Sequence, residues 1–410
     1  MSRIVLGVSG GIAAYKACLL LRLFAEAGHD VVVVPTRNAL EFVGETTWAA
    51  LSGNPVHTGV FSDAEQVPHV RLGREADLVV VAPATADLLA RAATGRADDL
   101  LTNVLLTAGC PVLMVPAMHT EMWLHPATRA NVATLRSRGV VVMEPADGRL
   151  TGPDSGPGRL PEPEDVEQLA LGLLADPGVA ARLAARDLAG RKVVVSAGGT
   201  REALDPVRYL GNSSSGRMGL AVARAAAARG AEVIAVTANV SLPLPSGVTG
   251  VPVVSTADLA EAMFAQAADA DIVVMAAAPA DFTPRTPSAS KLKKSGQHGL
   301  TVDFTQTTEV LRTLAGRRPD GQVVVGFAAE TAADGEDLLE LGREKLARKG
   351  CQLLVLNDVS GGKVFGAAAT EVVILSADGV VARVAGSKSV VAHAILDAAL
   401  NATPDERNAE

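Results

Sequence analysis

Short apolar runs, each followed by a longer segment with helical spacing, set the rhythm of this 410-residue chain. Residues 3–8 form a β-branched run, Ser9-Gly10-Gly11 makes a Gly-rich turn, and a helical pattern continues through Ala27. Further buried strands are predicted at 31–34, 78–82, 112–115 and 140–142, with helical patterns between them. A short continuous apolar run is what a strand buried on both faces requires, and strands alternating with helices predict a parallel sheet. The pattern then restarts. Residues 191–195 read as a second first strand, and Ser196-Ala197-Gly198-Gly199-Thr200 as a second Gly-rich turn. Strands are predicted after it at 232–236, 272–276, 323–326, 353–356 and 372–375.

Between the two series, residues 145–163 are rich in Pro, Gly and Asp, a helical pattern covers 164–175, and Asp176-Pro177-Gly178 reads as a stop. The expectation is an α/β chain with two doubly wound domains, each built on an open, mostly parallel sheet. They cover residues 1–175 and 191–410, with a linker at 176–190. In such sheets ligands bind beyond the carboxyl ends of the strands, so the turns there are where chemistry is sought.

Composition narrows the partners. A net charge of −8 argues against nucleic acid. The three cysteines, Cys18, Cys110 and Cys351, lie far apart without zinc spacing and cannot all pair, which reads as a reducing, cytoplasmic compartment. The N-terminal run is too short for a membrane span and lacks a signal-peptide cleavage pattern, so no membrane partner is expected.

Ser9-Gly10-Gly11-Ile12 lies between a strand and a helix, where glycines let the backbone approach a phosphate and the helix N-terminus favours the anion. Taken alone, a tight turn without a ligand fits as well. The third glycine and the acidic residue of a dinucleotide fingerprint are missing, which counts against an NAD-binding dehydrogenase. Pro83-Ala84-Thr85-Ala86-Asp87 and Pro116-Ala117-Met118-His119-Thr120 each follow a strand and could line one pocket with that turn. His69, in Pro68-His69-Val70-Arg71-Leu72, would alone be read as a surface or core histidine.

In order, SGGIAAYK, HVRL, ADLVVVAPATADLLA and PAMHTEMW resemble the flavin-dependent cysteine decarboxylase family over about residues 1–160. The resemblance implies a flavodoxin-like flavoprotein domain with FMN at Gly10, Gly11, Ile12, Ala84, Thr85 and Met118. It also implies a trimer with its active site at a subunit interface. That family oxidises the thiol-bearing carbon of a cysteine-like group, loses carbon dioxide to give an enethiol and, in the coenzyme A branch, reduces the enethiol with the reduced flavin. His69 matches the catalytic histidine, placed as a base. Two positions depart from the family. His119 stands where an asparagine contacts the substrate carboxylate. The segment 150–160 resembles the mobile substrate clamp, with Gly152, Asp154, Gly156 and Arg159, but Gly152 replaces its proton-donating cysteine. Another group or water must then supply that proton, and His119 is one candidate.

In the second domain, Asn212-Ser213-Ser214-Ser215-Gly216 leads into an Ala-rich helical run, which a serine can cap and whose N-terminus can hold a phosphate. Asp281 ends a strand, where it suits magnesium or a nucleotide, with helix capping the plainer alternative. Lys291-Leu292-Lys293-Lys294 is either solvated surface or a mobile basic loop over a triphosphate. Lys345 and Lys349 share a helical face.

DPVRYLGNSSSGRMG, KLKK, GFAAET and NDVS resemble phosphopantothenate–cysteine ligase over about residues 190–400. That family implies a Rossmann-like nucleotide-binding domain, a dimer, and CTP with Mg2+. It forms an acyl-cytidylate from 4'-phosphopantothenate, from which the cysteine amine displaces CMP. The resemblance places Asn212 at the acyl-cytidylate and gives Lys291 a catalytic role. It sets Ala277, Asp281, Lys291, Thr308, Glu309, Val310, Leu311, Phe327, Lys345 and Lys349 around CTP, with Asp281 also the candidate metal ligand. The ligase product, phosphopantothenoylcysteine, is the decarboxylase substrate, so each resemblance strengthens the other. The expectation is a homo-oligomeric bifunctional enzyme, trimeric in its decarboxylase halves and dimeric in its ligase halves. The alternatives are an active ligase with a degenerate flavin domain, or a flavin-binding interaction protein.

Overall fold

A computed structural model describes residues 1–59, 68–149, 154–293, 300–330, 338–358 and 369–402. Gly152 and Lys294 lie outside these residues. The chain divides into two compact units, Met1–Asp187 and Leu188–Glu410.

Unit one runs β1 (Arg3–Val8), α1 (Ala14–Glu26), β2 (Asp30–Pro35), α2 (Glu45–Ser52), α3 (Pro68–Glu75), β3 (Leu78–Ala84), α4 (Ala86–Thr94) and α5 (Leu100–Thr107). It continues with β4 (Val112–Pro116), α6 (Thr120–Leu124), α7 (Pro126–Ser137), β5 (Val141–Val142), β6 (Ala146–Arg149), β7 (Ser155–Arg159), α8 (Pro163–Ala175) and α9 (Pro177–Ala185). The sheet is parallel with the order β2-β1-β3-β4-β5, the flavodoxin-like arrangement, and its strand order reverses between β1 and β3. All seven residues of β3 are buried, which is why its sequence shows no polar alternation. The expected linker is not bare chain. The Asp176 carboxylate accepts from Gly178 N at 2.8 Å and starts α9, and buried Val179 and Leu183 hold that helix down.

Unit two runs β8 (Lys192–Gly198), β9 (Arg201–Ala203), β10 (Tyr209–Gly211), α10 (Arg217–Ala228), β11 (Glu232–Ala238), β12 (Val248–Val253), α11 (Thr256–Ala267) and β13 (Ile272–Met275). It continues with β14 (Phe282–Pro284), β15 (Phe304–Gln306), α12 (Val310–Arg317), β16 (Val323–Glu330), α13 (Leu338–Lys349), β17 (Leu353–Asp358), β18 (Ala369–Ser376), β19 (Gly379–Ser387) and α14 (Lys388–Asn401). The order of its eight-stranded sheet is β12-β11-β8-β13-β16-β17-β18-β19, parallel as far as β17 and antiparallel beyond. The reversal falls between β8 and β13.

Three features of this sheet matter for function. Strand β12 escaped the sequence reading because Gly250 and Pro252 interrupt its apolar run, and such residues are tolerated on the edge it occupies. Strand β13 starts level with its neighbours, Ile272 opposite Val193 and Val323, but stops at Met275 while β16 continues to Glu330. The antiparallel turnabout of β18 and β19 carries the chain back to the edge where the parallel strands end, so α14 starts at that edge. No helix among the described residues is long and apolar enough to cross a membrane.

Candidate functional site

In unit one the candidate residues gather where β1, β3 and β4 end. Ser9 joins two of their turns: its Oγ donates to Pro83 O at 2.7 Å and accepts from Thr85 N at 3.0 Å. Thr85 in turn caps α4. Ala117 N donates to Ala84 O at 3.2 Å, which brings the Met118–His119 loop alongside. The N-terminus of α1 carries no side-chain cap, so the peptide N–H groups behind Gly10, Gly11 and Ile12 remain a partial positive charge at the sheet's switch point.

The strand pair β6–β7 packs onto the same loop. Met118 N donates to Gly158 O at 2.9 Å, and a Cβ at Gly158 would strike the Met118 carbonyl. Arg159 pairs with Glu162, which also pairs with Lys16 of α1 at 3.0 Å. The described clamp residues Asp154, Gly156 and Arg159 therefore sit on the strand that meets Met118, or lead into it. His119 opens α6 and is exposed, without a capping bond from its side chain. His69 lies on α3, where its carbonyl accepts from Thr107 Oγ1 of α5 at 2.8 Å. Its Nδ1 is buried and has no partner among the described residues.

In unit two a cavity of about 630 Å3 opens at the switch point. Asn212, Ala277, Asp281, Thr308, Glu309, Val310, Leu311, Phe327, Lys345 and Lys349 all line it. Its floor is the loop after β13, held by buried hydroxyls. Ser196 Oγ accepts from Ala277 N at 3.0 Å, and Thr200 Oγ1 accepts from Ala280 N at 2.8 Å. Thr200 and Thr256 meet at 2.9 Å. Asn212 Nδ2 donates to Pro279 O at 2.8 Å, so its amide plane is fixed at the rim. Lys349 pairs with Glu309, joining α13 to the start of α12 and leaving Asp281 as the other carboxylate lining the cavity. Asp281 caps no helix; its carbonyl accepts from Thr307 N at 3.0 Å. Among the described residues no cluster of three metal-ligating side chains exists, so any ion here would rest on Asp281 and a ligand's own oxygens.

One expectation about the serine loop changes. No serine side chain caps α10; its N-cap is Gly216 at φ 76°, with a hypothetical Cβ 2.7 Å from Val240 Cγ2. Only glycine fits that left-handed, crowded turn.

Lys291 is exposed and lies off the cavity wall. The segment that carries it is nevertheless fixed. Asp205 accepts from Val207 N at 2.7 Å, Arg208 N at 2.8 Å and Leu292 N at 3.1 Å, and the Arg208 guanidinium bridges Asp205 and Leu292 O. Burial alone would push this carboxyl up, but those N–H groups and Arg208 hold it below the usual carboxylate range. Asp205→Asn loses the charge and part of the acceptor set, so the Lys291 segment should loosen. We expect about tenfold faster tryptic cleavage at Lys291 or Lys293. Unchanged cleavage would show that Asp205 serves its own turn alone.

The sequence reading missed Arg217, Asn357, Thr370 and Lys388 as lining residues, although Arg217 and Asn357 lay within quoted motifs. A signal for Lys388 was present: Ser387 before an apolar run marks a helix start.

Comparison with known proteins divides the chain in the same way. Residues 1–174 match a family model described as Flavoprotein, and residues 188–402 match one described as DNA/pantothenate metabolism flavoprotein C-terminal domain. The chain is 55% identical over 402 residues to the coenzyme A biosynthesis bifunctional protein CoaBC of Mycolicibacterium smegmatis, covering 96% of each. It is 42% identical to the protein of that name from Bacillus subtilis, covering 92% of this chain and 91% of that one. A crystal structure of the C-terminal domain of such a protein aligns at 32% identity over 52% of this chain and 95% of that chain, with a TM-score of 0.43.

Proposed function

The chain belongs to the family of bifunctional coenzyme A biosynthesis proteins, and from that membership we propose how its two units divide the work. It is an enzyme with phosphopantothenate–cysteine ligase and phosphopantothenoylcysteine decarboxylase activities.

Unit two performs the ligation, with CTP as the activating nucleotide. The observation that carries this is the cavity at the β8–β13 reversal, where Asn212, Asp281, Phe327, Lys345 and Lys349 converge. Its lysines face a polyanionic substrate, and Asp281 would hold the magnesium ion that accompanies CTP, an ion that normally keeps few protein ligands. Asn212, fixed by Pro279, orients the activated acyl group through its amide. The Lys291 segment, held by Asp205, brings a cation to the nucleotide phosphates.

Unit one performs the decarboxylation. The uncapped start of α1 beside the Ser9–Thr85 bridge fits the phosphate of FMN, a single anion at a single helix terminus. When bound, FMN supplies the oxidation at the carbon that bears sulfur. His69 holds the proton taken from the reacting group, and its buried Nδ1, without a partner among the described residues, is completed by substrate or a neighbouring subunit. His119, exposed beside the clamp strand, receives the substrate carboxylate and is our candidate for returning the proton that no side chain at position 152 can give.

We further propose a cytoplasmic homo-oligomer of trimeric decarboxylase and dimeric ligase halves. Exposed Ile12, Tyr15 and Leu19 on unit one, and Tyr209, Phe282 and Phe304 on unit two, supply apolar surface for both contacts.

The test of the whole reading supplies CTP, 4'-phosphopantothenate and cysteine and follows pyrophosphate and carbon dioxide. Pyrophosphate without carbon dioxide would leave a ligase with an inert flavin unit. Cofactor released by denaturation should chromatograph as FMN; recovery of FAD or NAD would refute the flavin site.

A further inference from the structure

Unit one holds a second cavity, of about 670 Å3, between α7 and α9. Its volume suits a small molecule. It shares no lining residue with the cofactor turns or the clamp strands. Arg129, Val132 and Arg136 fall three and four apart on α7, so they face it together. From α9 come Ala181 and Ala185, small side chains that leave the space open. Arg186, just past the end of α9, completes the wall. Among the described residues no acidic side chain lines it.

One carboxylate, Glu144, pairs with all three guanidinium groups from outside the lining. Arg186 Nη1 and Arg136 Nη2 donate to its Oε1 at 2.7 and 2.9 Å, and Arg129 Nη1 lies 3.9 Å from its Oε2, an ion pair without a hydrogen bond. Each cation is also fixed by something else. Arg136 donates to Val142 O at 2.7 Å, and Arg129 lies over the Trp123 ring, 5.2 Å from its centroid. Arg186 takes φ 50°, a left-handed conformation that is unfavourable for a residue with a Cβ. Burial pushes the Arg136 guanidinium below its ordinary range; Glu144 lifts it, while Arg186 and Arg129 press it down. In a chain of net charge −8, three cations gathered around one carboxylate leave an excess of two. A dianion neutralises that excess, and a second carboxylate does not.

We propose that Arg129, Arg136 and Arg186 form a binding site for a phosphate monoester on a short aliphatic body, separate from the flavin site and from the nucleotide cavity. A phosphate monoester carries close to two charges near neutral pH, and the planar guanidinium forks match its oxygens two at a time. Glu144 gathers the guanidinium groups and shares them with the ligand. The alanines of α9 cover the aliphatic body.

The experiment uses the full chain with its flavin bound and butyl phosphate as the probe, at constant ionic strength. Phenylglyoxal modifies arginines, and peptide mass mapping reads each one separately, so anion binding in unit two does not interfere. Butyl phosphate should protect Arg129 and Arg186 in parallel. Half-protection of Arg186 should need about tenfold more probe in Arg136→Gln and in Arg129→Gln, as the loss of one charge-assisted contact implies. Glu144→Gln should act the other way, with half-protection at about tenfold less probe, because it removes the one negative charge beside the ligand. Misfolding cannot produce that gain. Inorganic phosphate should need about tenfold more than butyl phosphate, since it leaves the alanine wall uncovered. Butyrate should not protect where butyl phosphate saturates. Equal protection by inorganic phosphate would overturn the ester, and protection by butyrate as strong as by butyl phosphate would overturn the phosphate. Unprotected Arg129 and Arg186, or an unchanged midpoint in all three variants, would overturn the site. Thermal melting identifies a misfolded variant; if Arg136→Gln is one, Arg129→Gln, at the most exposed of the three arginines, decides the outcome.

Discussion

Asn212→Asp should release pyrophosphate from CTP and 4'-phosphopantothenate and then stall, accumulating the acyl-cytidylate even with cysteine present. The side chain keeps its size but exchanges an N–H donor for a negative charge. In the present arrangement Nδ2 donates to Pro279 O at 2.8 Å. A carboxylate there faces a carbonyl it cannot bond and an anionic intermediate it repels. Activation places negative charge on the departing phosphates, whereas attack by cysteine places it on the acyl oxygen. Only the second step needs the amide donor. Loss of such a donor commonly costs about 3–4 kcal/mol, or roughly a hundred- to a thousandfold in rate. Lys291→Gln should instead slow the whole ligation and weaken CTP use, because its proposed role is at the nucleotide phosphates. Mass spectrometry after a short incubation distinguishes the two. If Asn212→Asp yields no pyrophosphate, the residue is needed for activation and the division of roles is wrong.

His69→Asn should abolish carbon dioxide release while FMN stays bound and ligation continues. His69 lies on α3 and belongs to neither of the turns that the Ser9–Thr85 bridge joins, so its removal should spare flavin binding. An asparagine preserves a polar group of similar reach but cannot take a proton near neutral pH. General base catalysis contributes about a hundred- to ten-thousandfold, which sets the expected loss. The flavin spectrum checks binding, and trapped carbon dioxide checks turnover. Near-normal decarboxylation in the mutant would remove His69 from the mechanism.

The sheets were legible because their central strands are buried on both faces. Runs such as Leu78–Ala84 carry no competing helical period. Strand β12 was not, since Gly250 and Pro252 break its pattern, and neither was β19, whose residues alternate between exposed and half-buried. The ten cavity residues expected from the ligase resemblance, apart from Lys291, do share one wall. Thr370 escaped notice because nothing local marks it, and Lys388 because the helix start that Ser387 signals says nothing of where that helix lies. They reach the cavity only through the antiparallel turnabout of β18 and β19, a contact distant in sequence. His69 is the opposite case: a motif singled it out, and its buried Nδ1 has no partner among the described residues.

The early end of β13 has a consequence of its own. Strand β16 runs four residues further, from Phe327 to Glu330, while the chain after Met275 stays beside β8, where Ala278 bridges Gly199, so a gap opens between that loop and β16 alone. That gap comes from the path of the backbone, so no single side-chain substitution on the floor can fill it. Trimming or enlarging Ala277 or Ala280 would tune the fit at the margins. Two residues inserted after Met275 would instead lengthen the strand, raise the whole floor and shut out a nucleotide while leaving every lining side chain unaltered. The dimension that admits the ligand is therefore written as a count of residues between Ile272 and Pro279, and this spacing should tolerate changes of residue type far better than changes of length.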